Sequence, residues 1–227
     1  AIGCIVFVLG MVACGLVIPR FPLRKPKKFI DIASFKIINF DLLFAAQGVL
    51  FFGLFTPFFF ITPLAQIHKV EANLVFYLLS IMNGSSLVGR TSLGKLADLL
   101  GYYNTFIPSV FISGLATLVF WVVPISTGSI IAFAVIYGFF SGGVVALFTP
   151  CLVSIMGTEN IGQRLGTMVL SAMPGAFVGT LITGSFVDKT TGSGYDKAAI
   201  FAGVVIMASA VLLTAIRLRA AKLAAVF

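Results

Sequence analysis

Seven long apolar stretches are the feature that most constrains how this chain folds. They lie at residues 2–18, 42–65, 72–92, 104–124, 129–153, 165–187 and 198–216. A helix of about 20 apolar residues crosses the hydrocarbon core of a bilayer, and these stretches have that length or nearly so. Only 10% of the 227 residues are charged, whereas soluble domains contain roughly a quarter. The sequence therefore predicts an all-α membrane protein with seven transmembrane helices in a lipid bilayer.

The basic residues indicate which way these spans run. Of the 15 Lys and Arg residues, 12 lie after the first, third and fifth spans or in the C-terminal tail. Because positively charged loops stay in the cytoplasm, the N-terminus is predicted outside and the C-terminus inside, in the plasma membrane. The basic segment 20–28 is interpreted as solvated cytoplasmic charge, with binding of a specific lipid as the alternative.

Metal, redox and acid–base chemistry find little support in the sequence. The three cysteines and the single histidine show no metal-ligand spacing, so neither a metal site, a cofactor nor a disulfide framework is expected. All seven Asp and Glu residues fall in loops or at span ends, which leaves no carboxylate at membrane depth for a proton relay. No acid–base pair, nucleophile–histidine arrangement or phosphate-binding loop is present, so an enzyme is not expected. The net charge of +8 lies in the loops, and nucleic acid is not an expected partner.

Glycines and prolines predict where helices pack closely or bend. Glycines recur at four-residue spacing on two spans, at Gly138 and Gly142 and at Gly175 and Gly179. Such faces let helices approach each other closely. Prolines interrupt three spans, at Pro57, Pro63, Pro150 and Pro174. Bent helices line the cavities of carriers, so these are candidate gating points, with lipid-facing kinks as the alternative.

A polar island between the third and fourth spans carries the order Gly94-x-Leu96-Ala97-Asp98-x-x-Gly101. The two glycines predict a tight turn and close helix approach. The carboxylate of Asp98 can accept hydrogen bonds from a helix N-terminus or pair with a cation. The island is therefore interpreted as a conformational latch, and capping of a turn is the alternative.

This order closely resembles the loop signature of the major facilitator superfamily, which follows the second helix of each six-helix half. The stretches NGSSLVGRTSLGKLAD, YGFFSGGVVALFTPC and IGQRLGTMVLSAMPGAFVGTLITGSFVD, together with PRFPLRKPKKFIDIASFK, resemble its fungal monocarboxylate-permease-like branch. The resemblance implies a C-terminal half built as two inverted triplets, whose partner is a missing N-terminal six-helix half. The implied organisation is helix six of the full carrier at 1–18, a central cytoplasmic loop at 19–40, the six-helix domain at 41–217 and a cytoplasmic tail at 218–227. The chain starts inside an apolar run without methionine, so a fragment of a longer protein is expected.

The resemblance also implies a substrate site. In monocarboxylate carriers an arginine just ahead of the signature loop is proposed to bind the substrate carboxylate, and Arg90 matches that position. Snorkelling to the headgroups or pairing with Asp98 are the alternatives. The mammalian transporters place an aspartate four residues earlier, where this chain has Ser86, so proton coupling and the substrate stay open. Further candidates for contact with an organic anion are Asn83, Tyr137, Ser141 and Phe140.

The predicted function is secondary active transport of small organic acids by alternating access. An exporter of a secondary metabolite or drug-like compound is the main alternative. A seven-helix receptor has the same topology, but a retinal protein would need a lysine in the last span, and 198–216 contains none. A half-carrier that does not transport is the remaining alternative.

Overall fold

The computed structural model describes residues 11–12, 32–68, 70–122, 126–187 and 194–224. The elements in these ranges are a 3-10 helix, Ile32–Lys36, and the α-helices α1 (Ile38–Leu54), α2 (Thr56–Ile67), α3 (Ala72–Leu100), α4 (Tyr102–Val122), α5 (Thr127–Met156), α6 (Ile161–Phe186) and α7 (Tyr195–Ala224). The predicted span at 2–18, apart from residues 11–12, and the loop segment 19–31 lie outside the described residues.

Five stretches of these helices are long and apolar enough to cross a membrane. They are Ile38–Ile67, which combines α1 and α2, and Ala72–Leu100, Thr127–Met156, Ile161–Phe186 and Tyr195–Arg219. The predicted span 104–124 coincides with α4. Helix α4 buries four hydroxyl residues along its length, namely Thr105, Ser109, Ser113 and Thr117. Each hydroxyl donates to the carbonyl four residues earlier, which satisfies it without water.

The helices form two triplets that run in opposite directions. The first triplet contains α1–α2, α3 and α4, and the second contains α5, α6 and α7. The five most extensive interfaces join α3 to α5, α1 to α6, α4 to α5, α1 to α7, and α4 to α7. Exchanging the triplets converts the first interface into the second and the third into the fourth, and it leaves α4–α7 unchanged. This is the contact pattern of an inverted repeat, and the predicted all-α six-helix lobe is confirmed.

Glycines bring the symmetry-related interfaces α3–α5 and α1–α6 close together. On α5, a methyl group added at Gly142 would lie 2.6 Å from the hydroxyl oxygen of Ser86. On α6, one added at Gly179 would lie 2.6 Å from the Cα of Phe52. Ordinary contacts between such atoms begin near 3.5 Å, so both interfaces exclude any side chain at these positions. The prediction that the paired glycines mediate close helix packing is confirmed.

The polar island is part of helix α3 and not a loop. The helix continues through Gly94 because Leu93 and Ala97 keep their side chains buried on one face. A methyl group at Gly94 would meet nothing within 4 Å, so the predicted tight turn and close approach at that residue are wrong. The turn lies at Gly101, whose φ of +96° is in the left-handed region that favours glycine.

Basic side chains gather at one end of the lobe, which we call the basic end: here α1 and α6 begin, and α3, α5 and α7 end. Its described cations are Lys36, Lys95, Arg164, Arg217 and Arg219. The Arg164 guanidinium donates to the carbonyl of Met156 at the end of α5 and to the hydroxyl of Ser34 in the 3-10 helix. These bonds place the 3-10 helix and the α5–α6 junction at the same end. Helix α7 continues to Ala224, so residues 218–224 of the predicted cytoplasmic tail are helical.

Candidate functional site

A cavity of about 250 Å³ lies where the break between α1 and α2 meets α3 and α5. Its lining residues are Leu54, Phe55, Phe58, Asn83, Ser86, Arg90, Ser141 and Val145. One wall is apolar and contains two phenyl rings, and the other carries one guanidinium, one amide and two hydroxyl groups. Ligand sites commonly combine an apolar lining with a few convergent polar groups, and this cavity has that composition.

The polar wall follows from the spacing of residues on α3. Asn83, Ser86 and Arg90 are three and four residues apart, so they lie along one face of the helix. Ser86 is buried, whereas the other two are exposed. The side-chain amide of Asn83 donates to the carbonyl of Leu79 over 2.8 Å, which fixes its orientation along the helix.

Arg90 is the cation of the cavity. It makes no hydrogen bond or ion pair with any other residue in the described part of the chain. The predicted alternative, a pair with Asp98, is therefore not formed in this structure. The Asp98 carboxylate instead accepts a hydrogen bond from the hydroxyl of Tyr102 over 3.4 Å. A guanidinium carries five donors in a planar fork that matches a carboxylate, so Arg90 is available to bind an anion.

Ser141 lies on the α5 side of the cavity and is 2% exposed. Its hydroxyl donates to the carbonyl of Gly138, 3.3 Å away within the same helix. A hydroxyl hydrogen rotates about its C–O bond, so Ser141 can exchange this long intrahelical bond for one donated to an anionic ligand.

Two predicted contact residues do not line the cavity. Tyr137 is fully buried, and its hydroxyl donates to the carbonyl of Leu54 over 2.6 Å. Phe140 is half-buried and packs edge-on against Phe139. The structure thus brings together Asn83, Arg90 and Ser141 of the five predicted residues. Tyr137 does not line the cavity as Ser141 does, because its hydroxyl is buried in a hydrogen bond to the carbonyl of Leu54 at the helix break.

The apolar wall comes from residues that sequence reasoning did not assign to the site. Pro57 lacks an N–H group, so it cannot donate to the carbonyl of Gly53, which accepts from Phe55 N–H instead. The helix breaks there, and Phe55 and Phe58 face the cavity. The interrupted stretch FTPFFFITP was the available signal, but it did not indicate which phenylalanine would face inward.

The predicted latch residues lie away from the cavity. Asp98 is exposed near the end of α3, beside the turn at Gly101. Among the residues that the structure describes, no group of three or more His, Cys, Asp or Glu side chains could hold a metal ion.

Curated relatives resemble this chain over most of its length. The agnestins efflux protein of Paecilomyces divaricatus is 32% identical over 93% of this chain and 48% of its own length. An MFS-type transporter of Ophiocordyceps sp. is 32% identical over 94% of this chain and 48% of its own length. The aspyridones efflux protein of Emericella nidulans is 31% identical over 83% of this chain and 38% of its own length.

The chain spans about half the length of these curated relatives. No family model matches it. The inverted helix triplets, the apolar spans and the relatives agree with the resemblance carried by the polar island. This chain belongs to the major facilitator superfamily.

Proposed function

We propose that this chain is one lobe of a secondary active carrier that exports a small organic acid with an apolar or aromatic body. The observation that carries the proposal is the uncommitted guanidinium of Arg90 in a cavity whose opposite wall holds Phe55 and Phe58. The names of two relatives as efflux proteins support the direction of transport.

The two walls divide the recognition of such a substrate. The guanidinium of Arg90 would fork onto the acidic group, and the hydroxyls of Ser86 and Ser141 would supply further hydrogen bonds. The rings of Phe55 and Phe58 would cover the apolar body and exclude water. Because this wall of α3 carries no carboxylate, the positive charge of Arg90 stays available until an anion enters.

Alternating access requires a second lobe, and two helices offer a surface for it. In the most apolar stretch of each candidate span, only 28% of α3 and 33% of α6 is buried within the lobe, against 56% of α5. These two helices are related by the inverted repeat, so a partner lobe built the same way would meet both. In this proposal the two lobes enclose the substrate, and lipid covers the remaining faces.

The basic end provides the orientation and the latch of this proposal. Positive residues stay in the cytoplasm, so the basic end faces inward at the plasma membrane. Asp98 lies exposed at that end, where its carboxylate would engage the partner lobe in one conformation and release it in the other.

Uptake of small monocarboxylates is the second candidate function. It is favoured by the position of Arg90, which matches the carboxylate-binding arginine proposed for monocarboxylate carriers. The two candidates differ in the substrate's body, because a small aliphatic acid would leave the apolar wall of Phe55, Phe58 and Val145 unoccupied.

Transport by a complete carrier that joins this chain to its other lobe tests the proposal. Arg90→Lys keeps the charge but loses the fork, so the ratio of maximal rate to KM should fall about tenfold or more. Arg217→Lys, an exposed basic-end residue away from the cavity lining, serves as the matched control and should stay within about twofold.

A competition panel then separates the substrate classes. Aromatic acids should inhibit transport more strongly than small aliphatic acids, and their methyl esters should inhibit weakly. Equal inhibition by acid and ester would refute the role of Arg90. Preference for small aliphatic acids would favour the second candidate function.

A further inference from the structure

The break between α1 and α2 is held by a hydroxyl group on each side. On the α1 side, Tyr137 of α5 donates to the carbonyl of Leu54 over 2.6 Å. On the α2 side, the hydroxyl oxygens of Thr56 and Thr183 of α6 lie 3.2 Å apart. None of these four residues is more than 1% exposed, so water does not compete for the bonds.

The direction of the second bond follows from the donor count. The hydroxyl of Thr183 donates its one hydrogen to the carbonyl of Gly179, 2.6 Å away on α6. A hydroxyl has a single hydrogen, so Thr56 must donate to Thr183. Two helices of the second triplet therefore bind the two sides of a break in the first triplet.

The bond to Leu54 satisfies a carbonyl at a backbone break inside a membrane span. An unsatisfied carbonyl in hydrocarbon is strongly destabilising, so irregular backbone persists there only where protein or water pairs it. Tyr137 provides that pairing, and its ring also contacts the cavity wall. The ring centroids of Tyr137 and Phe58 lie 5.8 Å apart at an angle of 66°.

We propose that Phe55 is a hinge in the cavity wall and that Tyr137 is the positioning residue that holds it. By bonding Leu54 and packing against Phe58, Tyr137 sets the angle at which α2 leaves α1. Breaking that bond frees α2 to turn about Phe55 and moves both phenyl rings relative to Arg90. The hinge itself follows from the geometry, and its consequence for transport rests on the proposed function.

Hydrogen–deuterium exchange on the 227-residue chain in lipid nanodiscs tests the hinge without any transport assay. Tyr137→Phe keeps the ring and removes only the donor. Amides 58–61 should then exchange about tenfold faster than in the unsubstituted chain, because a lost buried hydrogen bond raises local opening by about that factor.

A matched control is available elsewhere on α4 and α5. The hydroxyl of Tyr103 on α4 donates to the carbonyl of Cys151 on α5 over 3.3 Å, so this is likewise a tyrosine bond to a backbone carbonyl of another helix. Tyr103→Phe should leave exchange at amides 58–61 unchanged. Equal acceleration in both variants would indicate general loosening and would overturn the assignment of Tyr137.

A second variant keeps the proposal falsifiable if Tyr137→Phe does not fold. Thr183→Val removes the acceptor on the α2 side and should accelerate the same amides about threefold or more. Thr180→Val removes a hydroxyl that bonds only within α6, to the carbonyl of Ala176, and should not. Unchanged exchange in the folded hinge variants would refute the hinge.

Transport by the complete carrier separates this inference from the proposed function. Tyr137→Phe should raise KM for the substrate at least about threefold while surface expression stays normal. Accelerated exchange with unchanged transport would support the hinge and count against the cavity as the substrate site.

Discussion

The α3–α5 and α1–α6 interfaces have the same packing but different chemistry. Both are closed by glycines that exclude side chains, at Gly142 on α5 and at Gly179 on α6. Only the α3–α5 side carries a cation in the cavity, Arg90, whereas a hydroxyl pair, Thr56 and Thr183, accompanies the α1–α6 side. The inverted repeat thus produces the same close helix packing at two places in the lobe. The candidate site lies at the one of the two that also carries the cation Arg90.

The largest expected effect comes from breaking both interfaces in the same way. Gly142→Val and Gly179→Val should each destabilise the lobe by about 3 kcal/mol, because the added side chain meets backbone atoms that cannot move aside. Thermal unfolding in detergent measures the change. Gly166→Val, where a Cβ meets nothing within 4 Å, should change stability by less than about 0.5 kcal/mol and in the stabilising direction, because valine has a slightly higher helix propensity than glycine. A clear inequality between the two interface variants would contradict the symmetric packing.

A medium effect should distinguish the chemistry of the two sides. Ser141 on α5 lines the cavity, and Ser171 on α6 is a buried match whose hydroxyl likewise donates to a carbonyl three residues earlier. Ser141→Ala should raise the substrate KM about three- to tenfold, since a hydrogen bond to a charged ligand is lost. Ser171→Ala should leave it unchanged. Equal effects in transport assays would remove the distinction between the sides.

The smallest expected effect concerns the two glycines of the polar island. Gly94→Ala should stabilise the lobe by up to about 1 kcal/mol, because its site is helical and a methyl group meets nothing there. Gly101→Ala should destabilise it by about 1 kcal/mol, because its φ of +96° strains a residue with a side chain. Melting temperatures measure both changes, and a destabilising Gly94→Ala would restore the predicted tight turn at that position.

The predicted latch at Asp98 can be tested by comparing the inward-open and outward-open states of the complete carrier. Asp98→Asn in the complete carrier should shift the balance between inward- and outward-open states, because the exposed carboxylate loses its charge. Labelling of introduced cysteines on each face by membrane-impermeant thiol reagents measures the shift. Lys95→Gln, a neighbouring charge removal at the same end, provides the control. Identical labelling in all variants would leave Asp98 as a turn residue only.

The sequence by itself determined the membrane environment, the spans that lie within the described residues and the polar face of α3. Hydrophobic length sets where a helix can cross a bilayer, and the spacing of Asn83 and Arg90 places them on one face whatever surrounds it. The paired glycines were readable for the same reason, because close helix approach requires small residues at a fixed spacing. The length of α3 could not be predicted from the sequence. Burial of Leu93 and Ala97 against a neighbouring helix extends α3 through the polar island, whose composition is typical of a loop.

Only the tertiary structure decided what lies across the cavity. Pro57 marks a break in the helix, but the group that satisfies the Leu54 carbonyl there is the hydroxyl of Tyr137 on α5, 83 positions along the chain from Leu54. Tyr137 and Ser141 lie four residues apart on α5 and were predicted to face the same cavity. The hydroxyl of Tyr137 instead bonds a backbone carbonyl, whereas Ser141 lines the cavity. The physical reason is that a hydroxyl bonds whichever acceptor the packing brings within about 3 Å. The spacing of residues along one helix does not determine how that helix packs against another.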